Sequence, residues 1–463
     1  MRTGFLLLHC WLSLIAIGLA DEPKAVELAL SPQTIETPIL KYRLLPAESE
    51  LKPGNAATIL LKLPWDQQPY MERIYPKLGS WSERPLNAPE WADFEKEFIL
   101  PDSFYDTMKR AAYRRDVDWA YPTDEESLWF ILLPDVQGLR SFLGYGLTAK
   151  AKYHLSRGEL DRAREVILVG LANSRHMSRA PILVSQVVGA VIDTMMLDQT
   201  AVLIAQPDSP NLYWALSTLP AEMFNTGRAA ELEADQLSLN LPAIRDLDKP
   251  RDPSEWTRMA DQLMEYLRFN DELPADADPD LAVEKERLRK LARIALPRLL
   301  NADANRMAGM SDDEAMIRWF VLARTALDHH AAAILGLKPP EAASQWRTLE
   351  ANLQQFRSET GLRVGEGFRT RGSYVRLWTV NRKIQALRIV EAVRHHLASH
   401  DSKLPAQLSE ISDLPIPLDP LSGRPFEWTV DRTANTATLK SPPIDSAFGD
   451  GSAAAIEYRL KVR

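Results

Sequence analysis

The sequence predicts a mainly α-helical protein: stacked antiparallel helical hairpins, arranged as a tetratricopeptide-like solenoid or a bundle, followed by a small C-terminal antiparallel β-sheet. Three observations predict it. Apolar residues recur about once per helical turn between positions 124 and 400, most of the helical segments are joined by short loops, and residues 401–463 contain stretches that alternate in the strand period.

The chain opens on Arg2 and an apolar run from Phe5 to Leu19, closes that run with the small residues Gly18 and Ala20, and turns at once to Asp21 and Glu22. This is the pattern of a signal peptide, with cleavage after Ala20 and a secreted or periplasmic destination. The apolar core is shorter than the roughly 20 residues a membrane span needs. A lipidated Cys10 is disfavoured by His9 beside it and by the apolar stretch that continues past it. Cys10 is the only cysteine, so after cleavage no disulfide and no thiolate chemistry remain, and stability must come from packing.

An apolar share of 45% and a charged share of 25% are those of an ordinary folded protein. At 463 residues the chain exceeds the usual size of one hydrophobic core, which predicts two or three domains or an elongated repeat body. A formal charge of −8 with scattered Lys and Arg leaves no basic footprint, so no nucleic-acid partner is expected.

Four parts follow: a leader over 1–20, an extended Pro- and aromatic-rich arm with a short helix over 21–122, a helical-hairpin body over 123–400, and a small β module over 401–463. In the arm, Leu40 to Leu44 alternates and reads as an edge strand or an extended segment. Asn55, after Pro53 and Gly54, is placed to cap a short helix over Ala56 to Leu63. From Pro64 to Pro122 prolines interleave with Trp65, Trp81, Trp91 and Phe94, so no long helix is expected there and the segment should wrap the body.

In the body, Leu139, Leu143, Leu147, Ala151 and Leu155 fall at fourfold spacing. After Arg157 and Gly158 a second stripe runs through Leu160, Ala163, Val166, Ile167, Gly170 and Leu171. So short a link forces an antiparallel hairpin, packed through Ala151, Gly158, Leu160 and Ala163. Pro181 to Gln206 is apolar nearly all round and reads as a central helix; Gln186, Asp193, Asp198 and Gln199 argue against a membrane span. A helix capped by Ser209 with Pro210 in its first turn is expected next, then helices at about 253–269, 281–300, 312–336, 341–358 and 374–399. Strands are expected over Phe426–Val430, Thr436–Lys440 and Ile456–Leu460.

The stretch from Ala151 to Ala163 is similar to the centre of a tetratricopeptide unit, in which small residues let two helices approach and a Gly ends the first. Together with Arg114–Trp119, Leu132–Val136 and Pro210–Pro220, it resembles a group of uncharacterised secreted helical proteins common in planctomycete bacteria, over about residues 50–240. That resemblance implies no activity. The C-terminal part, with a long helix, then Lys403–Ser409, Asp419–Phe426 and strands, resembles the globular end of type II secretion pseudopilins. The resemblance implies a helix leading into a small sheet and a calcium loop near Phe448–Ser452, with Asp450 as a ligand; no pilin helix precedes it, so pilus assembly is not implied.

Two histidine clusters invite a metal reading. His396 and His400 lie one helical turn apart, which suits two imidazoles on one ion. No third ligand stands at conventional spacing and no HExxH accompanies them, so a structural role is favoured, with cationic imidazole at the helix end. His330 is expected in the core, on a stripe with Leu327 and Ile334. The Gly-rich run from Gly361 to Gly372 carries Arg363, Arg369 and Arg371, with Arg376 just beyond, and reads as an anion site or as a solvated loop, the latter favoured. Asp116, Asp118, Asp124, Glu125 and Glu126 form an acidic cluster beside Trp119, for which solvated charge and capping are the plainer reading. No GxSxG elbow is present. The expectation is therefore an exported helical-repeat scaffold that binds a protein or peptide partner without a defined catalytic activity or cofactor; the alternative is an envelope hydrolase acting on glycans or peptides through the acidic cluster or the histidines.

Overall fold

The structure is a computed structural model, and it describes residues 25–63, 68–97, 102–120, 138–220, 223–224, 226–274, 280–300, 309–364, 370–449 and 451–463. The leader lies outside the described residues.

The first element is a strand that was not among the expected elements. β1 (Val26–Leu30) pairs in parallel with the last strand, β6 (Glu457–Val462), so the C-terminal sheet is completed from the start of the chain. β4 (Glu427–Asp431) and β5 (Thr436–Lys440) add antiparallel strands in the order β1-β6-β5-β4. The sheet is thus mixed. Leu40 to Leu44, read as an edge strand or an extended segment, forms no strand.

β2 (Lys52–Asn55) pairs with β3 (Arg114–Asp116), and between them lie α1 (Ala56–Leu60), α2 (Gln68–Glu83), α3 (Phe94–Glu97) and α4 (Asp102–Ala112). Asn55 caps α1 as expected, its side chain accepting from Ala57 N at 3.0 Å. The 16-residue α2 overturns the expectation that prolines forbid a long helix here. Pro69 sits in the first turn, where no N–H is needed, and Pro76 forfeits one hydrogen bond. Buried Ile74, Leu78 and Trp81 outweigh that loss by packing onto the body.

A π-helical turn (Arg140–Gly146) leads into α5 (Leu147–Ser156), and α6 (Leu160–Ser178) folds back on it as the predicted hairpin. Gly158 takes φ +70 at the reversal; Ala151 and Ala163 are fully buried between the helices. In α7 (Leu183–Ile204) an 18-residue stretch has a mean hydropathy of 1.6 and is mostly buried, as a core helix should be. Its contact with α6 is set by two glycines. A Cβ at Gly170 would lie 2.3 Å from Met196 Sδ, and one at Gly189 would lie 2.6 Å from Ser178 Oγ and 3.1 Å from the Ser174 carbonyl. Gly189→Ala should therefore push α6 and α7 apart and lower stability by about 1–3 kcal/mol in urea denaturation; an unchanged midpoint would show that the approach is slack.

α8 (Tyr213–Ser217) starts later than its predicted cap at Ser209. The reason is an ionic knot: the carbonyls of Ser209 (2.7 Å) and Pro210 (3.3 Å) accept from the buried Arg394 guanidinium, so they are spent before a helix can begin. Arg394 also bonds Ser31 O and its buried partner Glu391, whose carboxylate accepts from Leu212 N.

The rest of the body comprises α9 (Gly227–Ala234), α10 (Gln236–Asn240), α11 (Pro253–Phe269), α12 (Leu281–Leu300), α13 (Asp312–Leu335), α14 (Pro339–Thr360) and α15 (Thr370–Ser399). α13 is a hub packed by α9, α11, α12 and α14, while α15 crosses back onto α7 and α8. Chain-order pairing therefore holds for α5–α6–α7 and α12–α13–α14, and α15 closes the stack on itself. Arg382 of α15 holds the β module, gripping Asp419 at 2.6 and 2.7 Å and the carbonyls of Pro442 and Ala454, with both charged side chains buried. One connected cluster of buried apolar side chains reaches from Leu28 to Val462. The predicted arm, body and β module thus share a core.

Candidate functional site

Four distant segments meet around a cavity of ≈ 580 Å³: the end of α6, the loop into α9, the α13–α14 turn, and one stripe of α15. Each wall has a local cause. Tyr374, Leu377, Trp378 and Asn381 stand at i, i+3, i+4 and i+7 on α15 and so face one way. Arg175 and Arg179 stand one turn apart where α6 ends, a position its terminal carbonyls favour for cations. Lys338 caps α14 ahead of Pro339. The α13–α14 turn is stapled by Tyr374 Oη donating to Leu337 O and Thr226 Oγ donating to Leu335 O, each at 2.7 Å.

The cavity is electropositive. Its described lining holds Arg175, Arg179 and Lys338 and no carboxylate. Half-buried Arg175 has no hydrogen bond or ion pair among the described residues, and burial together with Arg179 lowers its pKa. Exposed Lys338 likewise has none, and Arg179 makes only a 3.4 Å contact with Arg115 O. Glu48, exposed, and Asp193 of α7, in the core, are the carboxyl groups whose charge would bear on Arg175, and only Asp193 is buried. The Asp193 carboxyl is fully buried and neither oxygen is within hydrogen-bonding geometry of a donor among the described residues, Ser174 Oγ donating to Gly189 O at 2.8 Å, and burial pushes its pKa up to about 8. At neutral pH it is protonated and lends Arg175 no counter-charge.

Apolar and aromatic surface completes the wall, with Met223, Phe224, Leu337 and Leu377 beside Trp378. Asn381 is only 4% exposed, yet its carboxamide has no hydrogen-bond partner among the described residues. A space of this size with a few polar groups in an apolar wall has the make-up of a small-ligand site.

The residues singled out in sequence do not gather here. Arg363 pairs with Asp271 at 2.7 Å, and Arg371 borders a separate crevice with Asp328 and Glu350. Arg376 is half-buried, its pKa lowered by burial and by Arg140; Arg369 lies outside the described residues. The loop is thus no shared anion cradle among the described residues.

His396 and His400 do meet, but as flat-stacked rings 3.8 Å apart at 9°. Their lone pairs lie in parallel planes and cannot converge on one ion at about 2.0–2.1 Å. His400 Nδ1 is moreover in contact with His396 O at 3.0 Å, and no cluster of three potential ligands occurs among the described residues. Burial and the neighbouring His400 lower the His396 pKa, which favours neutral rather than cationic imidazole. Asp450 lies outside the described residues.

His330 is not in the core: it is half-exposed and meets Gln345 at 3.0 Å, while buried Asp328 binds Arg324. Asp116 and Asp118 are exposed, and Asp118 caps the Ala120 N–H. Trp119 is buried and donates to His176 O at 2.9 Å, which ties the arm to α6. Trp81, Trp91 and Phe94 pack on one another. Asp124, Glu125 and Glu126 lie outside the described residues.

No protein-family model, no curated protein and no solved structure matches this chain.

Proposed function

We propose that the protein is an exported binding scaffold that holds a peptide, or a peptide segment of a protein partner, in the cavity between α6, α9, α14 and α15. The observation that carries this reading is Arg175, a half-buried guanidinium in a cavity wall that makes no hydrogen bond or ion pair with a carboxylate among the described residues. A desolvated cation without a partner is costly, and a ligand that brings a negative charge recovers that cost on binding. The aromatic wall suits an apolar side chain beside that charge. Export is supported by the leader-like first twenty residues.

The test is panning of a random peptide library, displayed both with free and with fused C-termini, on the wild type and on the Arg175→Gln/Arg179→Gln variant. Sequences enriched by the wild type and lost with the variant are the expected result. Enrichment that ignores the substitutions, or none at all, overturns the reading.

A further inference from the structure

The unused hydrogen-bonding groups of the cavity say more about its ligand than the charge alone, and what they say rests on the peptide-binding reading above. Asn381 is a carboxamide, nine-tenths buried, on the cavity wall, whose donor group and acceptor group meet no protein partner among the described residues. A carboxamide matches an amide: it donates to the carbonyl and accepts from the N–H of the same peptide linkage. A buried polar side chain left without a partner is costly, so its natural complement is a ligand carrying both groups.

The charge pattern limits the anion. Arg175 offers a planar fork suited to a carboxylate. α6 ends at Ser178 on the cavity wall, and the partial negative charge of its terminal carbonyls opposes a second negative charge nearby. A monoanion is therefore favoured over a dianionic phosphate. The remaining wall, Phe224, Leu377 and Trp378 among it, would stay wetted around a wholly polar ligand and is buried by an apolar one. Monoanion, amide and bulky apolar group occur together, one residue apart, at the end of a polypeptide.

We propose that the cavity reads the carboxy-terminal end of a peptide, with Arg175 on the terminal carboxylate, Asn381 on the last peptide amide, and the aromatic wall on a large apolar last side chain. Capture of a terminal carboxylate is a recurring mode of peptide recognition; here the cation is a side chain rather than a backbone nest.

Isothermal titration of the full chain with N-acetyl-alanyl-phenylalanine, as the free acid and as its C-terminal amide, tests this. The acid should bind at least about tenfold more tightly than the amide, corresponding to about 1.4 kcal/mol. Arg175→Gln should reduce the acid to the affinity of the amide, and Arg175→Lys should keep part of the preference. Asn381→Leu should weaken acid and amide alike and leave their ratio intact. Inorganic phosphate at equal concentration should not displace the acid. Melting temperatures of the variants confirm that each is folded. Equal binding of acid and amide by the wild type, no binding of either, or displacement by phosphate overturns the assignment. If panning still selects fused-C-terminus peptides through Arg175 while the acid and amide bind equally, the terminal-carboxylate assignment fails and the peptide-binding reading stands.

Discussion

Asp419→Ala is expected to cost about 3–5 kcal/mol of stability, read as a lowered urea midpoint at unchanged slope. The size follows from what is left behind. Arg382 is held by both oxygens of Asp419 at 2.6 and 2.7 Å, and the two side chains are 1% and 0% exposed. Removing the carboxylate strands a guanidinium that two carbonyls, Pro442 and Ala454, satisfy without neutralising. Replacing both partners, as Arg382→Met with Asp419→Leu, removes the buried charges together and should recover much of the loss. A single-variant loss under about 1 kcal/mol would mean that water reaches this pair, contrary to its burial.

Asp193→Asn is expected to stabilise the protein, increasingly so as pH rises. The unfolded carboxyl titrates near 3.8 and the buried one near about 8. Below the lower value both states are protonated and the group is neutral towards folding. Between the two, the folded state keeps a proton that the unfolded state releases, so the wild type loses up to about 1.4 kcal/mol per pH unit until the folded group also ionises. Asparagine carries no such dependence. The gap in melting temperature between variant and wild type should therefore widen by several degrees from pH 5 to pH 8 and level off above it. A gap that stays constant with pH would show that Asp193 is ionised in the folded protein.

The helices that were legible in sequence are those with local punctuation. Asp252, Pro253 and Glu255 form a capping box ahead of α11, and Ser311 accepts from Glu314 N at the start of α13, so both begin where the residues say they should. Features decided by tertiary contact were not legible. α2 runs through Pro76 because its buried face outweighs one missing bond. α8 waits until Tyr213 because Arg394, far along the chain, claims the carbonyls before it. β1 has a strand-like pattern, yet its partner lies at the other end of the sequence.

The cavity was missed for the same reason. Arg175 and Arg179 look like an ordinary basic helix end, and Asn381 like one polar residue on a long helix; only folding puts them on one wall. The Arg-rich Gly361–Gly372 run, by contrast, is conspicuous in sequence, and Arg363 finds a carboxylate nearby. The useful signal was the i, i+3, i+4, i+7 set at Tyr374, Leu377, Trp378 and Asn381, which mixes aromatic, apolar and amide groups on one face.

The parallel pairing of β1 with β6 gives the molecule a clasp. Leu28 and Leu30 are buried with the final strand paired alongside them, and Arg463 N bonds back to Leu30 O. A chain still emerging from the ribosome has no partner for its opening strand, and closing so wide a loop carries an entropic cost that only the completed sheet repays. Burial of the opening strand is thereby coupled to the arrival of β6: a chain in which β6 is missing or unpaired leaves Leu28 and Leu30 without that neighbour.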